Sequence, residues 1–195
     1  NGKEIIFHLI DNLKINNMIS FIYIPYNIEY VKYDFENLLK RRYPKYKFKF
    51  MILKKQTRGA AETIHKALQK LYSSQIRYPI NLIQMKEMFD KPILCLDSDN
   101  FYTNNVIDLW NGNNIVFSFL SKDIDPIFSY LKTDEKENIL QIIEKQKISD
   151  KACTGAYGFK SLKMFYNSLQ ILIQNSNNIY ISDVINQLIK SNISF

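Results

Sequence analysis

The sequence predicts an α/β fold in which helices pack on a parallel sheet. Short apolar runs recur along the chain, at residues 19–24, 48–53, 93–96 and 115–120, the first of them rich in β-branched residues. Between them lie stretches with apolar residues at helical spacing, such as Ile5, Ile6, Leu9, Ile10 and Leu13. The run from Ile93 to Leu96 is apolar throughout and bounded by Pro92. It is too short for a helix and reads as a strand buried in a parallel sheet.

The elements follow in order. Residues 4–14 form a helix with one apolar face, and His8 belongs to its surface. Residues 19–24 form a strand that Pro25 stops. Residues 30–42 form a second amphipathic helix, ending before Pro44, and residues 48–53 the next strand. Residues 54–63 read Lys-Lys-Gln-Thr-Arg-Gly-Ala-Ala-Glu-Thr, a turn that opens a helix over 60–71. Gly59 there permits a positive φ or a close approach to the main chain. The polar, tyrosine-rich stretch 72–91 reads as a loop with a short helix. One or two helical turns are expected over 104–110 and a turn over 111–114. Residues 128–132 and 139–143 flank a polar link and make an antiparallel hairpin. Residues 152–159 form a short strand of small residues. A Ser-capped helix follows over 161–174 and a last helix to Lys190.

The chain has 195 residues, 46% of them hydrophobic, which suits one compact domain with a real core. No apolar run reaches the length of a membrane span, and no signal peptide is visible. Two cysteines, Cys95 and Cys153, give neither a disulfide framework nor a zinc spacing, which fits a cytoplasmic location. Two histidines make a multi-histidine metal site or a catalytic triad improbable. The formal charge of +7 attracts phosphates of any kind. Nucleic acid is not expected as a partner, because no helix-turn-helix, zinc-finger or RNA-recognition signature is present. A homo-oligomer, through a sheet edge or a helix face, stays open.

The chemistry centres on Asp97 and Asp99, one residue apart where the buried strand ends. Ligands of open α/β sheets gather at the carboxyl ends of strands. Mg²⁺ takes one or two protein carboxylates there and its remaining oxygens from water and phosphates. A solvated strand end with a capping Asp is the structural alternative. Asp123 and Asp125 repeat the spacing before Pro126 and are assigned no function. The turn at 54–63 presents a helix N-terminus with basic neighbours, which suits an anion, although an ordinary tight turn explains it as well. Ser182 and Asp183 in the first turn of the last helix read alone as a cap. Neither a Walker A loop nor a Gly-x-Ser-x-Gly elbow occurs.

These segments, in this order, resemble the nucleotidyltransferases that make nucleoside-diphosphate sugars. The likeness covers almost the whole chain. Residues 1–11 resemble the Gly-Lys segment and helix after the family's signature loop, and Gln56, Thr57, Arg58, Gly59, Ala60 and Ala61 its base-recognition turn. Residues 92–100 resemble its metal-carboxylate strand, and Glu144 and Lys145 its Glu-Lys pair at the sugar phosphate. Residues 154–159 resemble the strand under the sugar, and 180–184 the segment bearing a second metal aspartate.

The resemblance implies a Rossmann-like three-layer sandwich with a mostly parallel central sheet and a small antiparallel hairpin. It implies that a nucleoside triphosphate and a sugar 1-phosphate, or a similar phosphorylated compound, are joined with release of pyrophosphate. Asp97, Asp99 and Asp183 would hold Mg²⁺, with Asp99 and Lys145 catalytic. Gln56, Gly59, Ala60, Asn100, Glu144, Thr154, Gly155 and Tyr157 would bind the substrates. Two departures stand out. The family's glycine-rich loop precedes the segment that begins at Asn1, so this chain is expected to lack that loop and the first strand. Cys153 stands where many sugar-specific members carry Asn. An A-type glycosyltransferase also places Asp-x-Asp after a strand, but the Gly-Ala-Ala turn and the Glu144-Lys145 pair argue against it. A non-catalytic binding domain of the same fold is the reading from another class.

Overall fold

The computed structural model describes residues 2–76, 90–100, 102–175 and 179–195. Helix α1 spans Ile5–Asn12, strand β1 Ile22–Asn27, helix α2 Phe35–Arg42 and strand β2 Phe48–Leu53. Helix α3 covers Ala60–Ile76, strand β3 Ile93–Leu96, the single turn α4 Val106–Leu109 and strand β4 Ile115–Leu120. Strands β5 (Ser129–Thr133), β6 (Ile139–Glu144) and β7 (Lys151–Phe159) precede helices α5 (Leu162–Asn175) and α6 (Ile181–Lys190). Most of the expected elements are present. Of the stretch 72–91, residues 72–76 extend α3, and the short helix expected there lies outside the described residues.

Three expectations are corrected. The first strand runs through Pro25 to Asn27. Ile22 donates its N–H to Lys47, so alternate residues turn toward β2 and Pro25 faces the opposite edge, which has no partner strand among the described residues. A missing N–H does no harm there. The helix expected over 30–42 is broken. A 3-10 helix covers Ile28–Tyr33, and Asp34 takes a left-handed conformation (φ 53°) before α2 begins. The mostly parallel central sheet is not found. Among the described residues the one parallel pairing is β1 with β2, and the five-stranded sheet is antiparallel in every pairing. The reason is β7, which pairs with β3, β4 and β5 alike. Those three strands therefore share a direction without pairing with one another.

Helices cover both faces. Ala61, Leu68, Phe165, Leu169, Val184 and Ile185 from α3, α5 and α6 pack on Cys95, Leu131, Ile142, Tyr157 and Phe159 of the larger sheet. On the other face, Leu9 and Leu13 meet Leu94, Leu96 and α4. Phe7 and Ile10, on the adjoining side of α1, meet Leu39 of α2 and Ile24, Phe48 and Phe50 of the smaller sheet. A two-sided apolar helix thus joins the two sheets, a use that helical spacing alone does not reveal.

Candidate active site

The site begins with a break in one edge of β7. Tyr157 and Gly158 pair with both β3 and β4, so those two strands flank β7 on opposite edges. Ala152 pairs with both β4 and β5, which puts β5 on the same edge as β3. β3 leaves that edge at Asp97, whose N–H donates to the Gly155 carbonyl at 2.9 Å. β5 resumes it at Ser129, one step before the Tyr130–Ala152 pair. Continuing both registers sets Asp97 opposite Gly155 and Ser129 opposite Cys153, about 7 Å apart along the edge. Glu144 is the direct partner of Ser129 on β6, so its side chain lies on the same face.

Gly155 makes the break usable. Its φ is +77°, and an added Cβ would run into the Asp97 carboxylate and lie 2.8 Å from the Asn100 amide nitrogen. The Asn100 amide donates to the Thr154 carbonyl at 3.1 Å, and the Thr154 hydroxyl donates to Phe117 at 3.0 Å. Two consecutive carbonyls, those of residues 154 and 155, are therefore taken by the loop that carries Asp97, Asp99 and Asn100.

Charge is concentrated here. Burial pushes the Asp97 carboxyl up to about 6, and the neighbouring charges of Asp99 and Glu144 add to it. Cys153 is pushed up to about 12 by burial, with Glu144 and Asp97 contributing, so its thiol is inert at neutral pH. Burial likewise raises the Tyr157 phenol, which stays protonated. Asp99 is exposed and Asp97 half-buried. Lys145 is exposed and, unusually for a residue with a side chain, sits at φ 51°, its N–H donating to Phe128 at 2.9 Å. A left-handed lysine costs on the order of 1 kcal/mol.

A second group of expected residues gathers elsewhere. The turn before α3 is closed on itself. Glu62 accepts the Arg58 N–H at 2.7 Å and pairs with its guanidinium, which holds the Glu62 carboxyl down to about 2. The hydroxyls of Thr57 and Thr63 share a hydrogen bond of 2.6 Å, while Gln56 and Ala60 are exposed. Gly59 is pressed against protein, since an added Cβ would lie 2.8 Å from the Ile179 carbonyl. That contact ties the turn to the segment leading into α6. Asp183 accepts the Tyr180 N–H at 3.0 Å, as a capping residue does. Asn186 accepts the Ile142 N–H at 3.1 Å and donates back to the Ile142 carbonyl. Farther along α6, Ile189 and Lys190 lie beside Leu140 and Gln141. Helix α6 therefore runs antiparallel to β6, and its Asp183 end lies at the Glu144 end of that strand.

The structure thus brings Asp97, Asp99, Asn100, Glu144, Thr154, Gly155 and Tyr157 together, and separately Gln56, Gly59 and Ala60 with the approach to Asp183. No three His, Cys, Asp or Glu side chains among the described residues form a group able to hold a metal. Asp97 and Asp99 remain as a pair. The residue that sequence reasoning missed is Ser129, which is 7% exposed and donates to Glu144. Hairpin register gave the available signal, because Ser129 and Glu144 fall opposite each other across the turn at 134–138.

No protein-family model matches the sequence, and no curated protein does. Solved structures do. The nucleoside-diphosphate-sugar pyrophosphorylase of Vibrio cholerae RC9 is similar over 100% of this chain and 78% of its own, with 18% identity and a TM-score of 0.76. A Bacillus anthracis protein assigned as a glucose-1-phosphate thymidylyltransferase is similar over 97% and 71%, with 19% identity and a TM-score of 0.68. The inositol-1-phosphate CTP transferase of T. maritima is similar over 90% and 64%, with 12% identity and a TM-score of 0.64. At these identities the likeness is one of fold: this chain has the α/β fold of these nucleotidyltransferases.

Proposed function

We propose that this chain is a Mg²⁺-dependent nucleotidyltransferase that joins a nucleoside triphosphate to a sugar 1-phosphate, or a similar small phosphorylated compound, in cytoplasmic nucleotide-sugar synthesis. The observation that carries the reading is the break in the β7 edge, where Asp97 lies against Gly155 with the charges of Asp99 and Glu144 acting on it. The names of the similar solved structures support the same reaction class.

The reaction forms one P–O bond and breaks another. A phosphate oxygen of the acceptor attacks the α-phosphorus, and pyrophosphate leaves with the electron pair of the old bond. The protein's part is to position two anions and offset their charge. Lys145 meets the attacking phosphate, and Glu144 accepts hydrogen bonds from acceptor hydroxyls. Thr154 and Gly155 hold the loop of Asp97 and Asn100 close to β7, and with Tyr157 they support the acceptor's side of the break. Gln56, Gly59 and Ala60 meet the base, and Asn100 fixes the loop between the substrates.

The donor set fits Mg²⁺, because two hard carboxylates at one strand end match the one or two that this ion takes from protein. Burial, with the charges of Asp99 and Glu144 adding to it, raises the Asp97 carboxyl, and a cation bound there would offset that cost. Asp97 and Asp99 would hold the ion, with Asp183 arriving from the start of α6, and the bound ion would stabilise charge on the reacting phosphates.

The test is pyrophosphate release from a panel of nucleoside triphosphates against phosphorylated sugars and alcohols, with Mg²⁺ and with EDTA. Release that needs both substrates and the metal is expected. Silence across the panel, or sugar transfer from a nucleotide sugar instead, would overturn the reading.

A further inference from the structure

Ser129 is a buried hydroxyl inside the site, and its hydrogen bond runs to Glu144. A hydroxyl has one proton to give and two lone pairs to receive with. The Ser129 proton goes to Oε2 of Glu144, its register partner. The Tyr157 phenol, itself buried, lies beside Ser129 and stays protonated. The one proton Ser129 has points toward the carboxylate. Glu144 is thus held through Oε2 beside the break in the β7 edge.

We propose that Ser129 is a positioning residue that fixes Glu144 as a pure acceptor and so selects phosphorylated substrates that donate a hydroxyl proton at that point. The proposal rests on the nucleotidyltransferase reading of the same site. It excludes acceptors that bring a second anion or a bare methylene to Glu144. A carboxylate held by a neutral hydroxyl cannot donate to an anion, and a methylene leaves it unpaired.

Steady-state pyrophosphate release with α-D-glucose 1-phosphate as the probe separates the two claims. Ser129→Ala is expected to raise KM for the sugar phosphate about tenfold, with KM for the nucleoside triphosphate unchanged. Ser129→Thr, which keeps the hydroxyl, restores the wild-type value. Glu144→Gln raises the same KM at least as far. If Glu144→Gln has no effect, the assignment of Glu144 fails and the nucleotidyltransferase reading loses that contact. If Glu144→Gln impairs binding and Ser129→Ala does not, the Ser129 proposal alone falls.

Crystal structures of the wild type and Ser129→Ala decide the matter even for a protein that does not turn this probe over. The Glu144 carboxylate is expected to leave its place when the hydroxyl is removed. A side chain found in its original rotamer would overturn the proposal.

Discussion

At the scale of single residues, Asp97 and Gly155 hold opposite consequences for stability. Gly155→Ala adds a Cβ at positive φ against Asp97 and Asn100. Urea unfolding is expected to show a loss of at least about 1–2 kcal/mol. Asp97 runs the other way. Its carboxyl is raised from 3.8 to about 6, so the native state holds that proton more tightly than the unfolded chain. Its contribution to stability is full below the unfolded value and is lost as pH rises through about 6. In metal-free buffer at pH 7, Asp97→Asn is expected to be more stable than wild type by roughly 2 kcal/mol, and to flatten the pH dependence between those values. Melting curves from pH 3.5 to 7.5 check this. Asp99→Asn, at an exposed position, should leave the melting temperature nearly unchanged while pyrophosphate release falls by about 100-fold or more.

At the scale of elements, local signals were legible and partnerships were not. Strands Phe48–Leu53, Ile93–Leu96 and Ile115–Leu120 match their apolar runs, because an apolar run too short for a helix has few other outcomes. The break at Asp34 was not legible, since the pattern over 30–42 continues through it and a left-handed Asp leaves no periodic trace. The antiparallel sheet was not legible either. An apolar strand reads the same whichever way its neighbour runs, and only the placement of β7 decides it. For the site, the acids at the end of β3 and the Glu144-Lys145 pair could be named from sequence. Their meeting depends on β5 resuming the edge that β3 leaves. Asn186 is a second device of this kind. It caps the outer edge of β6 through Ile142 and sets the direction of α6. Asn186→Ala is expected to cost about 1–3 kcal/mol in denaturant unfolding, because it leaves a buried N–H and carbonyl without partners. It should also lower activity by loosening Asp183.

At the scale of the whole molecule, α1 ties the smaller sheet to the larger one, and α3 and α6 bring the turn at 56–60 beside the approach to Asp183. No helix among the described residues is long and apolar enough to cross a membrane. The central claim is that the gap between the end of β3 and the start of β5 receives a metal and two phosphate-bearing substrates. Crystals soaked with Mn²⁺ and a nucleoside-diphosphate sugar test it most directly, through the anomalous signal of the metal. A peak within bonding distance of the Asp97 and Asp99 carboxylates, with the sugar between Glu144 and Gly155, is predicted. A peak elsewhere, with that gap filled only by solvent, would contradict the account.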